Sequence, residues 1–217
     1  MTKIADRIST LVLVGTTVLT LFVLFGPRGV LGRRIGQWRE DRRGRAEVLK
    51  SWASLSQFAQ RLGARTGAPI LIEVSDYQCP FCRLTAPNVN TFLKAHPDVA
   101  LGYVHFPLSI HKYARPAAIA SLCADKAGFG DTMHNELMTS ENWQSDSTDW
   151  VKLGRTIGIR DTASFRSCLT DSTVAARLDA GIKLIDSLHI GGTPTFLWQS
   201  GDRHTGSLSY EELNAAR

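Results

Sequence analysis

The pattern of apolar and polar positions divides the chain into stretches of different period. Residues 8–25, ISTLVLVGTTVLTLFVLF, carry no charge between Arg7 and Arg28. At 1.5 Å per residue this run spans about 27 Å, close to the roughly 30 Å of a bilayer's hydrocarbon core. It reads as one N-terminal transmembrane helix. The competing reading is a cleaved signal peptide, for which only Val30 and Gly32 offer small residues at a cleavage point. Residues 27–45 then read as a basic juxtamembrane linker. Across residues 46–63 the apolar positions Val48, Leu49, Trp52, Leu55, Phe58 and Leu62 recur at helical spacing, with Gly63 as the stop.

Beyond that helix the period changes. APILIEVSDY is short, β-branched and preceded by Gly-Ala-Pro, the signature of a strand. A helix follows from Cys82 to Ala95, with Leu84, Val89, Phe92 and Leu93 apolar, and His96-Pro97 ends it. VALGYVHFPL is a second strand. From about residue 112 to 188 no strand signal appears, only helical pieces broken near Gly128-Phe129-Gly130, residues 140–145 and Gly158. TPTFLWQ and RHTG then read as a hairpin around Ser200-Gly201-Asp202. SLSYEELNAAR closes the chain as a helix, with Ser209 and Glu212 at capping-box spacing. The order predicts an α/β domain over 46–217: a βαβ unit and a ββα unit, with an all-helical domain of about 112–188 inserted between them.

Composition narrows the class without naming a function. Of 217 residues, 43% are hydrophobic and 21% charged, which suits a globular chain rather than a disordered one. The net charge of +5 comes largely from RGVLGRRIGQWREDRRGR, directly after the apolar run. A basic cluster in that position suits anionic headgroups better than nucleic acid, so no nucleic-acid partner is expected.

The chemistry sits in SDYQCPFCRLTAPNV. Cys79 and Cys82 flank the start of a helix, where unpaired N–H groups and the positive dipole end favour a thiolate. Thiols so placed have pKa values of roughly 3.5 to 7.5. Pro80 suits the first helical turn because its missing N–H would go unbonded there anyway. Cys79 therefore reads as an exposed nucleophile and Cys82, one turn inward, as the resolving thiol. Glu73 lies six residues before Cys79 on a strand with both faces covered. A buried carboxyl there would stay neutral near pH 7 and relay a proton to Cys82. Far along the chain, GGTPTF sets Thr193-Pro194 at a strand entrance, where a proline is tolerated.

Glu73, CPFC at 79–82, HFPL at 105–108, the helical block with AAIASLCA, and GTPTF at 192–196 together resemble the DsbA-like thiol:disulfide oxidoreductases of the thioredoxin superfamily. The match runs from about residue 66 to the end. The resemblance implies a thioredoxin fold with a helical insertion and a cis peptide before Pro194. It implies a substrate surface at Pro80, Phe81, Thr193 and Pro194. It also implies disulfide exchange with unfolded or partly folded exported proteins, a membrane redox partner for recycling, and no cofactor or metal. One departure is informative. The family's best-known oxidant has Pro-His between its cysteines; here Phe81 replaces the histidine and cannot donate charge or a hydrogen bond to the thiolate. A milder oxidant is expected.

The remaining cysteines, Cys123 and Cys168, have apolar surroundings and no CxxC spacing. An even cysteine count in an exported protein favours a structural disulfide between two insertion helices; the alternative is two buried free thiols. Zinc is not expected, because the ligands are not clustered in pairs. Met133, Leu137 and Met138 are read as core and His134 as a surface or capping side chain.

These readings converge on an anchored thiol:disulfide oxidoreductase, single-pass in a bacterial inner membrane, with its catalytic domain in the periplasm; a cleaved and secreted form is the variant reading. Two alternatives differ in class: a reductase or isomerase fed by a membrane electron carrier, and a tethered chaperone-like binding module. One signal conflicts with the periplasmic placement. Seven arginines follow the apolar run against Lys3 and Arg7 before it, and the positive-inside rule would hold that flank in the cytoplasm.

Overall fold

The computed structural model describes residues 14, 16, 17, 20–23, 30–63 and 71–215. Most of the apolar run 8–25 lies outside these residues; among those described, no helix is long and apolar enough to cross a membrane. The chain divides into two units, residues 1–46 and 47–217.

Helix α1 (Val30–Phe58) is followed by β1 (Gln60–Gly63), β2 (Leu71–Ser75), α2 (Pro80–Ala95) and β3 (Ala100–His105). Five helices come next: α3 (Ala114–Lys126), α4 (Gly130–Thr139), α5 (Trp150–Thr156), α6 (Thr162–Leu169) and α7 (Ser172–Ser187). The hairpin β4 (Thr195–Trp198) and β5 (Arg203–Thr205) and the last helix α8 (Tyr210–Ala215) complete the order. The strands form one sheet in the order β1-β3-β2-β4-β5. Only β2 and β3 run parallel; β1–β3, β2–β4 and β4–β5 are antiparallel.

The central strand β2 is buried along its whole length, because helices cover both faces of the sheet. Ile72 and Val74 point to one layer, where they pack with Val104, Leu197, Val48 and Leu55 of α1 and Ile185 near the end of α7. Leu71 points to the opposite layer, with Tyr103, Phe196, the inner face of α2 (Cys82, Ala86, Val89, Phe92) and Leu213 of α8. Glu73 shares Leu71's face, since side chains alternate along a strand. The helical insertion extends this second layer through Met133, Leu137 and Met138, which are buried.

Residues 30–45, expected as a basic juxtamembrane linker, are helical and continuous with 46–58. One expectation about elements is corrected. That helix stops at Phe58 instead of reaching Gly63, because Gln60–Gly63 pair with Tyr103–Ala100 as an edge strand. Four residues of one strand carry too little alternation to stand out beside a helical pattern. Gly63 still ends its element: its φ of +78° is a conformation that favours glycine. At the other end of the chain the capping box forms in both directions. Ser209 N–H donates to Glu212 Oε2 at 2.8 Å, and Glu212 N–H donates to Ser209 Oγ at 3.2 Å.

Candidate active site

Cys79 is the N-cap of α2 and Pro80 its first residue, so the free N–H groups of the first turn point toward the Cys79 sulfur. The turn before it is built by Asp76. Its backbone carbonyl accepts from Cys79 N–H at 3.1 Å, and its Oδ1 accepts from Gln78 N–H at 2.7 Å. From the far side of the site, the Thr193–Pro194 peptide is cis, and the Thr193 carbonyl accepts from the Cys79 thiol at 3.3 Å. Residues 114 positions apart thus meet at one sulfur.

Both thiols are free and buried, Cys79 with 3% and Cys82 with 0% of its surface accessible. The expectation of a freely exposed Cys79 is therefore corrected, because the Thr193 segment closes against it. The two sulfurs are nonetheless set apart electrostatically. Hydrogen bonding from the Cys82 thiol holds the Cys79 thiol down to about 5; Thr193 and the N–H groups of Cys82 and Phe81 assist, and burial opposes them. Burial pushes Cys82 strongly the other way, reinforced by its bond to Cys79 and by the charge of Glu73. The pair thus holds one proton, with the negative charge on Cys79.

Glu73 sits in β2 between Tyr103 of β3 and Phe196 of β4, its register partners. It is 2% exposed, and burial raises its carboxyl to about 7, with the Ser75 hydroxyl pulling weakly the other way. Its charge bears on the resolving thiol, adding to the burial that raises Cys82. Of the four residues expected to meet substrate, Pro80 is exposed and Phe81 is 61% exposed, while Thr193 and Pro194 are buried against the nucleophile.

Behind the cysteines lies a polar cluster that the sequence pattern does not assemble. The Tyr77 hydroxyl lies 2.8 Å from Ser121 Oγ and 3.3 Å from His134 Nδ1. Ser121 donates to Gln60 Oε1 at 2.8 Å, and His105 Nε2 lies 3.1 Å from that same oxygen. His134 is thus a buried residue, 5% exposed, and not the surface side chain expected. It packs edge-on against Tyr77 and Tyr103, with ring centroids 5.6 and 4.8 Å away. Burial holds both His105 and His134 neutral, at about 3. The available signal was the alternation that places Tyr103 and His105 on one face of β3.

Cys123 of α3 and Cys168 of α6 form a disulfide, with an S–S distance of 2.06 Å. It closes the insertion on itself, joining α3 to α6.

Comparison with known proteins agrees with this geometry. A family model described as thioredoxin matches residues 59–216. A thioredoxin-like oxidoreductase from Silicibacter pomeroyi is 27% identical, with a TM-score of 0.64 over 73% of this chain and 90% of that one. A linker-deletion mutant of Proteus mirabilis ScsC shares the fold, with a TM-score of 0.73, 21% identity and 92% of each chain covered. Pseudomonas aeruginosa DsbA2 is 25% identical with a TM-score of 0.53, over 67% of this chain and 85% of that one. Among curated proteins, the Na(+)/H(+) antiporter NhaA 3 of Salinispora tropica is 30% identical over 155 residues, 71% of this chain. The chain spans only 23% of that protein's length.

Proposed function

The chain belongs to the thioredoxin family, and on that premise we propose that it is a DsbA-like thiol:disulfide oxidoreductase that oxidises thiols of exported proteins through Cys79 and Cys82. The observation that carries the oxidant reading is the placement of Cys79 at the N-cap of α2, where helix N–H groups favour its thiolate, against the complete burial of Cys82, which disfavours one. A stabilised Cys79 thiolate stabilises the reduced protein, and a dithiol stable in its reduced form is an oxidant in its disulfide form.

In that reading a substrate thiolate attacks Cys79 Sγ of the Cys79–Cys82 disulfide. The new bond joins substrate sulfur to Cys79, the internal S–S bond breaks, and Cys82 leaves as a thiolate that its buried setting disfavours. Glu73, neutral for part of the time near pH 7, supplies the proton. A second substrate thiolate then attacks the substrate sulfur of the mixed disulfide. The substrate leaves oxidised by two electrons, and Cys79 leaves as the thiolate that its helix terminus and hydrogen bonds already accommodate. In the reverse, reductive direction, Cys82 gives its proton to Glu73 and resolves the mixed disulfide. Recycling the dithiol requires an external membrane oxidant. The apolar run 8–25 would tether the domain beside it; Leu21, Phe22 and Val23 within that run are exposed, 50 to 68%.

Cys79→Ser separates this reading from a chaperone-like binding module. An oxidoreductase loses oxidation of a reduced, unfolded protein completely, whereas a binding module retains client capture. Labelling Cys79 with a membrane-impermeant thiol reagent in intact spheroplasts reduced with dithiothreitol, against lysed spheroplasts treated alike, tests the side: reaction in both supports the periplasmic placement, and reaction only after lysis supports the arginine flank and a cytoplasmic reductase.

A further inference from the structure

The Cys123–Cys168 disulfide forms part of the wall of a cavity in the helical insertion, about 710 Å³ in volume. Sites that hold small molecules run from roughly 300 to 1,000 Å³. Phe129, Ile159 and Phe165 supply the apolar part of the wall. Gly158, also in the lining, has a φ of +108°, and a Cβ added there would lie 2.9 Å from the Phe129 ring. Glycine at this turn therefore lets the Phe129 ring stand where it does.

The two cysteines of that wall are unequal. Cys123 is buried among the core residues of α3, whereas Cys168, in the last turn of α6, is only partly buried. Thiol attack on a disulfide requires access to the sulfur attacked, and access selects Cys168. Cys123 is then the leaving group. Lys126 follows it by one turn of α3, where side chains three apart are neighbours, and also lines the cavity. A nearby ammonium favours a thiolate, so Lys126 assists that departure. The lining also holds Asp161 and Asp171, but both carboxylates cap helices. Asp161 accepts from Ser164 N–H at 3.0 Å and from its hydroxyl at 2.8 Å; Asp171 accepts from Thr173 N–H at 2.8 Å and from its hydroxyl at 2.7 Å. Arg160, exposed in the same lining, is the cation left to meet a ligand's carboxylate.

We propose that the Cys123–Cys168 disulfide is a second reactive site, which takes up a small carboxylate-bearing thiol as a mixed disulfide on Cys168. The small thiol, having lost its proton, attacks Cys168 Sγ. A bond forms from its sulfur to Cys168, the Cys123–Cys168 bond breaks, and Cys123 leaves with the electron pair and takes up the proton that the small thiol released. One disulfide and one thiol are exchanged for another disulfide and another thiol, so no further oxidant or reductant is needed. Arg160 holds the ligand's carboxylate and so opposes the return of Cys123, which would re-form the original bond. The site is separate from Cys79–Cys82 and does not depend on the direction of exchange there.

The test uses the purified full chain, oxidised at both cysteine pairs. It is exposed to glutathione or to cysteamine at equal thiolate concentration, quenched with N-ethylmaleimide, and mapped by peptide mass spectrometry. Glutathione should appear on Cys168 with maleimide on Cys123. That adduct should form about fivefold faster than the cysteamine one, the scale of a single exposed ion pair. Arg160→Gln should remove the advantage and Arg160→Lys should keep it. Cys123→Ala, which leaves Cys168 without its competitor, should be modified there by glutathione disulfide, while Cys168→Ala should stay unmodified at Cys123. An adduct on Cys123, or an adduct on Cys168 only after urea unfolds the chain, overturns the proposal. Equal rates for the two thiols, or no response to Arg160→Gln, also overturn it. Adducts confined to Cys79 and Cys82 overturn it as well and leave the exchange reading of that pair standing.

Discussion

Replacing Glu73 by glutamine removes a carboxyl that the fold keeps neutral well above its ordinary range, and the effect on stability follows from its surroundings. In the folded dithiol protein the group titrates at about 7 against an ordinary value of 4.5, because burial between Tyr103 and Phe196 penalises its charge. At 1.36 kcal/mol per pH unit, that difference corresponds to about 3 kcal/mol. Below pH 4.5 the carboxyl is protonated in both states and contributes nothing. Between 4.5 and about 7 the unfolded chain releases the proton while the folded chain keeps it, so stability falls as pH rises. Above about 7 the full cost is present. Glu73→Gln, of the same size and permanently neutral, is therefore as stable as the parent at about pH 4 and about 3 kcal/mol more stable at about pH 8. Urea unfolding of the two reduced proteins at both pH values measures it. With an m-value of about 2 kcal/mol/M, the midpoints should separate by roughly 1.5 M at the higher pH and coincide at the lower. A separation that does not change with pH would refute the assignment of Glu73 as a buried, high-pKa carboxyl.

The thiolate absorbance of the reduced protein should titrate with a midpoint near 5, disappear in Cys79→Ser, and show no second step from Cys82 below about pH 9. Replacing both Cys123 and Cys168 by alanine opens a loop of 45 residues and should cost about 4 kcal/mol of stability by the chain-entropy relation, with little change in the exchange rate at Cys79. His134 is held neutral to about pH 3 whereas an unfolded histidine takes up a proton near 6.5; stability gained from it is present above 6.5 and lost as pH falls toward 3. His134→Gln should therefore make the acid unfolding curve shallower by up to about 1.4 kcal/mol per pH unit in that window, and an unchanged slope would show that the ring is not buried neutral.

Much of the site could be read along the chain because its parts are local. Cys79, Pro80 and Cys82 lie within one helical start, and the strand before them is marked by LIEV between Pro69 and Asp76. The covered faces that bury Glu73 followed from the same run. The polar cluster behind Cys82 was not legible, since Gln60, Tyr77, Ser121 and His134 are brought together only by a four-residue edge strand and two insertion helices. His134 illustrates the difficulty. Its neighbours Met133 and Leu137 point to core at helical spacing, and a histidine beside them reads as polar surface unless the aromatic partners Tyr77 and Tyr103 are known to face it. Asp76 and His111, whose Oδ2 and Nδ1 lie 2.7 Å apart, were missed for a related reason: their meeting depends on how the loop after β3 folds back over the CPFC turn.

The reduction potential of the Cys79–Cys82 pair, measured in glutathione buffers, tests the oxidant reading most directly. A stabilised Cys79 thiolate predicts a value toward about −120 mV, made somewhat milder by Phe81. A value near about −270 mV would contradict the account and make the protein a reductant.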